Sequence, residues 1–219
     1  MMDFEVARRH MVDSQILPNR VTDPALIDAI AETPREVFLP DNLRSLAYCD
    51  EALEVTNGRH LMEPMIAGRL LQCVNASKDD VALLIGASTG YLAAVMSRIT
   101  DTVVVVEQDK DLVAKAGQAM EELGIDNVVI MEGALNAGFP NQAPYDVIVF
   151  DGAVPSIPEG IAEQLSEGGR LIAITGGSNG VPGRAMLTTR FHGALSTRHV
   201  FDAGTPPLPG FEHDAGFTF

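Results

Sequence analysis

Hydrophobic residues in the second half of the chain arrive in short, nearly unbroken runs. They cover residues 81–86, 102–107, 127–131, 146–151 and 170–175, and Val, Ile and Leu dominate each. A half-exposed strand alternates apolar and polar positions, whereas unbroken runs of this length fit parallel strands buried on both faces. Between them lie stretches with helical spacing, 90–99, 109–123 and 157–166. Gly124 is placed to end the second and Gly168-Gly169 the third. Strand and helix therefore alternate, which predicts a doubly wound, mostly parallel α/β sheet. The stretch 185–202 reads as two strands around His192-Gly193, an antiparallel hairpin, and the tail holding Pro206, Pro207 and Pro209 is expected to be extended.

The first part of the chain has a different pattern. Residues 4–17 place Val6, Met11, Val12 and Ile16 on one side of a helix that stops before Pro18. Thr22 or Asp23 can cap a second helix with Pro24 in its first turn. Pro34 opens a short piece through Val37 and Phe38, and 63–76 reads as a helix with Pro64 near its start and Met65, Leu70, Leu71 and Val74 available for burial. Residues 1–62 are expected to form a helical cap and 63–219 the sheet-bearing part of a single domain.

Composition narrows the function classes. With 219 residues and 46% hydrophobic content the chain can bury one full core. Its 30 acidic and 15 basic residues give a net charge of -15, a field that repels phosphate backbones and argues against nucleic-acid partners. Cys49 and Cys73 make no disulfide framework and are expected to be reduced core thiols. The start carries Asp3, Glu5, Arg8 and Arg9 in place of an apolar signal region, and no apolar run approaches the roughly 20 residues of a membrane helix. A cytoplasmic protein without a membrane segment is the expectation.

The candidate chemistry sits at Val81 to Tyr91, VALLIGASTGY, followed by Glu107 at the end of the next strand. A buried strand runs into a glycine turn and then a helix, and an acid follows about twenty residues on. In a βαβ unit this places a nucleotide-like cofactor on the turn and its ribose hydroxyls against the acid. Gly86 and Gly90 permit the tight turn and close backbone approach. Asp151 ends the fourth strand, where it either points towards such a site or caps a loop, and Gly133 ends the third. His60 follows Gly58-Arg59 in an expected loop. The other histidines are scattered, and neither metal-ligand spacing nor a Cys-x-x-Cys pair exists, so no metal site is expected. No tyrosine has a lysine four residues on, which lowers the nicotinamide alternative, with a dinucleotide or S-adenosylmethionine as the candidate ligands.

Several separate segments, in order, resemble the protein-L-isoaspartate O-methyltransferases. Met11-Val12 and Gln15-Ile16-Leu17 resemble the opening helix of that family. Val21 to Ala29, Pro34 to Pro40 (PREVFLP) and Ala47-Tyr48-Cys49-Asp50 resemble its next segments. Leu83 to Ala94 is similar to the cofactor loop, Glu107 to the ribose acid, and Pro144 to Ile148 and Gln164 to Leu171 to two later strands. The resemblance implies methyl transfer from S-adenosylmethionine to the α-carboxylate of an isoaspartyl residue in a damaged protein or peptide. It implies a cofactor held by Gly86, Ala87, Ser88, Gly90, Tyr91, Glu107, Gly133, Ala134 and Asp151.

The departures from the family pattern are local. Gly58-Arg59-His60-Leu61-Met62-Glu63-Pro64 stands where the family has Gly-Gln-Thr-Ile-Ser-Gln-Pro, so Met62 replaces the substrate-side serine and His60 the threonine. Leu84 replaces an acid, Ser88 a glycine and Ala134 an aspartate. Met62 has no hydrogen to donate to a carboxylate, so methylation is expected to fall below that of a serine-bearing relative, with Arg59 as a candidate bidentate grip on the substrate carboxylate and His60 as a base for another acceptor. The alternatives are a binding member of the family that has lost catalysis and a small-molecule methyltransferase.

Overall fold

The computed structural model describes residues 3–56, 58–177 and 181–211. Helix α1 (Phe4–Met11) is capped by Asp3, whose carboxylate accepts from the Val6 amide. The expected single helix over 4–17 then changes winding. Val12–Ile16 form a π-helical turn and Leu17–Asn19 a 3₁₀ turn that takes in Pro18, ending at left-handed Arg20. Helix α2 (Pro24–Glu32) takes Asp23 as its cap. A 3₁₀ turn at Arg35–Phe38 follows. Strands β1 (Leu53–Thr56) and β2 (Arg59–Leu61) then pair as a small antiparallel hairpin where a loop was expected, and α3 (Pro64–Val74) leads into the sheet.

The sheet is built from β3 (Val81–Ile85), β4 (Thr102–Glu107), β5 (Val128–Glu132), β6 (Tyr145–Val154), β7 (Leu165–Thr175), β8 (Gly183–Phe191) and β9 (Ala194–Ala203). Its spatial order is β5-β4-β3-β6-β7-β8-β9, with β3 to β7 parallel and β8 and β9 antiparallel. The doubly wound sheet and the terminal hairpin are thus as the sequence pattern predicts. Helices α4 (Tyr91–Ser97) and α5 (Lys110–Glu122) cross between strands. The expected helix over 157–166 is only α6 (Glu159–Ala162), because Leu165 already pairs with Tyr145 as the start of β7.

Alternate strand residues serve two cores. Ala82, Leu84, Val103 and Val105 pack with the cap, α3 and α4, and Leu83, Ile85, Val104 and Val106 pack with Ile148, Phe150 and Ile161 on the opposite face. Each side chain of this size buried from water contributes about 1.5–3 kcal/mol, which explains the unbroken apolar runs. Cys49 and Cys73 are unpaired as expected but half-buried, at the margin of the core. The chain leaves β3 towards β4 on one side and reaches β6 on the other, so a crevice opens beyond the carboxyl ends of β3 and β6, the place where open α/β sheets bind ligands.

Candidate functional site

At that crevice β3 turns sharply into α4. Gly86, Ser88 and Gly90 all take left-handed backbone, at φ 76°, 48° and 102°. The Gly86 amide donates to the Val106 carbonyl at 2.9 Å, pinning the turn to β4. Glu107, the last residue of β4, is fully buried there. Its Oε1 accepts from Arg59 Nη1 at 2.6 Å and from the amides of Gln108 at 2.8 Å and Asp109 at 3.1 Å. Its Oε2 accepts from Arg59 Nη2 at 2.7 Å and the Ser88 amide at 3.2 Å. Arg59 therefore grips Glu107 in the parallel two-bond geometry that a guanidinium and a carboxylate share. It does so from β2, nine-tenths buried rather than on an open loop, and this corrects its expected role as a free grip for a substrate carboxylate.

A second buried guanidinium lies close enough to act on the same region. Arg35 is fully enclosed; its Nε donates to the Ala47 carbonyl at 2.7 Å, its Nη2 to the Met62 carbonyl, and its guanidinium lies 4.7 Å from the centre of the Tyr91 ring. Tyr91 also meets Phe38 edge-on at 5.6 Å, so its ring is committed to the cap interface. Asp151 lies within β6 with Oδ1 buried and without a partner among the described residues. Burial pushes its carboxyl up to about 7, Arg59 and Arg35 draw it back down, and Glu107 and Glu63 add to the rise.

Residues 205–211 lie back across the crevice. Thr205 donates to Glu63 at 3.0 Å, the Pro206 carbonyl accepts from Ala153 at 2.9 Å, and the Leu208 amide donates back to Ala153 at 2.8 Å. Phe211 then packs against Phe150, 5.8 Å between ring centres. Leu208 comes to rest on two bare glycines. A methyl built on Gly86 would lie 2.8 Å from Leu208 Cδ2 and 3.2 Å from Arg59 Nη2, and one on Gly152 would lie 2.7 Å from Leu208 Cγ. Beside them only about 10 Å³ of cavity remains, lined among others by His60, Met62, Asp151 and Pro206. Gly90 also meets the helix behind the turn: a methyl there would lie 2.9 Å from Met120 and 3.2 Å from Ala116.

The remaining expected site residues are scattered more widely. Ala87 is fully buried in the turn, half-buried Gly133 donates to the Glu107 carbonyl at 3.0 Å, and Ala134 is exposed at the start of a 3₁₀ turn. Met62 is buried beside the cavity, and half-buried His60 contacts the Gly58 carbonyl through Nδ1 at 3.2 Å. Gly86-Ala87-Ser88-Thr89-Gly90 also spells the Gly-x-Ser-x-Gly of a hydrolase elbow, with left-handed Ser88 between strand and helix. Its Oγ is buried with no hydrogen-bond partner among the described residues, so no histidine activates it as a nucleophile. Among the described residues no group of three metal-ligating side chains occurs.

A family model described as protein-L-isoaspartate(D-aspartate) O-methyltransferase matches residues 7–182. The chain belongs to this family. A protein-L-isoaspartate O-methyltransferase of Roseiflexus castenholzii is 36% identical over 210 residues, covering 95% of this chain and 94% of that protein. Protein-L-isoaspartate O-methyltransferase 2 of Pelobacter propionicus is 38% identical over 175 residues, 80% of this chain and 78% of that one. A solved protein-L-isoaspartate O-methyltransferase superimposes with a TM-score of 0.82 at 28% identity, covering 93% of this chain and 67% of the other. The fold is also that of a Plasmodium falciparum protein solved with S-adenosyl-L-homocysteine, TM-score 0.79 at 17% identity, covering 93% and 98%. The family match ends at 182 and so covers the hairpin β1–β2, the turn, Glu107 and Asp151, but not the strap at 205–211.

Proposed function

We propose that this protein is an S-adenosylmethionine-dependent carboxyl methyltransferase acting on isoaspartyl residues of cytoplasmic proteins. The observation that carries the reading is the family match over 7–182, which takes in every element that builds the crevice. The residues that would hold the cofactor are Gly86, Ala87, Ser88 and Gly90 in the turn, Glu107 for the ribose hydroxyls, Gly133 and Ala134 at the end of β5, and Asp151 and Tyr91 beside them. When bound, the cofactor supplies an electrophilic methyl group. The frame suits that group, but the space does not: both Glu107 oxygens already accept from Arg59, and Leu208 lies on Gly86. A site that holds a ligand of this size needs several hundred Å³, so these two side chains have to move first.

The acceptor's carboxylate is a sufficient nucleophile, and the task of the protein is to align it with the methyl group. Met62 supports that alignment by contact only, since it has no hydrogen to donate. One missing hydrogen bond to a charged group corresponds to about 1.5–3 kcal/mol. Methyl transfer to an isoaspartyl peptide by the wild type is therefore expected to rise about tenfold or more in Met62→Ser. Turnover in neither protein, with S-adenosylhomocysteine bound by both, would support the second reading, a binding member of the family. The unpaired cysteines support the reducing compartment, and the charge of -15 supports protein rather than nucleic-acid substrates.

A further inference from the structure

We propose that Arg59 and the strap Thr205–Phe211 form a built-in occupant of the cofactor crevice, a closed state that the cofactor must displace. The proposal rests on the methyltransferase reading above and concerns how that site is regulated.

Three observations converge. An ionised carboxylate offers about four lone-pair positions, and Glu107 already takes five N–H donors, two of them from Arg59. It has nothing left for a ribose diol until Arg59 lets go. Gly86 and Gly152 keep the backbone bare as for a ligand, and the side chain laid against both is Leu208 of the same chain. Ser88 Oγ in the turn and Asp151 Oδ1 at the crevice are buried and lack partners among the described residues. A buried polar atom without a partner is costly, and a ligand in the crevice would supply one to each.

The strap is attached in a way that lets it leave. It contributes no strand to the sheet and is tied by two backbone bonds to Ala153, the Thr205–Glu63 bond, and the apolar anchors Leu208 and Phe211. Arg59 sits on a hairpin of strands four and three residues long. Both can withdraw without unpairing β3 to β9. A ligand that binds only the open state then has its apparent affinity reduced by the fraction of molecules that are open. Freeing the strap by one truncated anchor raises that fraction.

The test is calorimetry with S-adenosylhomocysteine on the full-length wild type, Leu208→Ala and Arg59→Gln, with hydrogen exchange of the 204–211 amides in the wild type with and without the ligand. The proposal expects Leu208→Ala to bind about tenfold or more tightly than the wild type, and the strap amides to exchange faster once the ligand is bound. The exchange measurement needs no variant, so it stands even if Arg59→Gln, which leaves Glu107 without its charge partner, folds poorly. Equal affinity in wild type and Leu208→Ala, with strap amides unchanged or slower on binding, overturns the closed state and leaves the methyltransferase reading intact. No binding by any of the three at millimolar ligand overturns both.

Discussion

Asp151 is a carboxylate whose surroundings set a measurable slope. Its folded carboxyl is pushed from 3.8 up to about 7, burial being the largest cause. Between those values the folded chain keeps a proton that the unfolded chain releases. Stability therefore falls as pH rises from about 4 to about 7 and levels off above, by up to roughly 1.4 kcal/mol per pH unit. In Asp151→Asn that fall should vanish, and the variant should exceed the wild type in stability at pH 8. Urea unfolding at pH 5, 6 and 8 checks this, and an unchanged slope in the variant would assign the titration to another group. Gly90 permits a second prediction. Its φ of 102° and the 2.9 Å approach of Met120 make Gly90→Ala cost about 2–3 kcal/mol, read as a lower urea midpoint at constant m. At this scale Glu107 was legible, because a strand-end acid after a glycine turn has a spacing. Its partner was not. Arg59 lies 48 residues away, on strands too short to show a periodicity.

Elements were legible in proportion to how much hydrophobic pattern they carry. The runs at 81–86 and 102–107 became β3 and β4 within a residue, because a strand buried on both faces must be apolar throughout. The helix expected over 157–166 shrank to Glu159–Ala162 because the Gln164 side chain folds back onto Ala137, Phe139 and Gly160, which turns the chain into β7 early. No local pattern encodes that long-range capping. The strap is extended through Leu208, as its prolines predict, and then turns at Pro209-Gly210, but extension says nothing about where a segment lies down. Between elements, Arg170 is the clearest tie: from β7 it donates to the Val74 and Asn75 carbonyls at the end of α3 and to Asp80 at 2.6 Å before β3. Arg170→Ala leaves those carbonyls and a mostly buried carboxylate without their donor. A loss of about 2 kcal/mol is expected, with faster amide exchange at 74–81. A surface-like change below about 0.5 kcal/mol would show that water replaces the guanidinium freely.

The whole molecule carries a charge of -15, and salt acts on that charge in two opposed ways. Screening weakens exposed attractions such as Arg9–Glu5, Arg98–Glu32 and Lys110–Glu132. Pairs of that kind contribute only about 0–1 kcal/mol each. The buried Arg59–Glu107 pair is shielded from ions and changes little. Screening also relieves the mutual repulsion of 30 acidic residues facing 15 basic ones, a cost of compaction that grows with the excess charge. The excess exceeds what a few surface pairs can offset, so repulsion decides the sign. The thermal midpoint is expected to rise by several degrees between about 20 mM and 0.5 M sodium chloride, where each kcal/mol moves a chain of this size by about 2–4 °C. Scans at matched pH check it, with sodium sulfate excluded because it also strengthens apolar burial. A midpoint that falls with salt would mean that the surface ion pairs outweigh the net charge, and that the acidity is organised into networks rather than spread as a field.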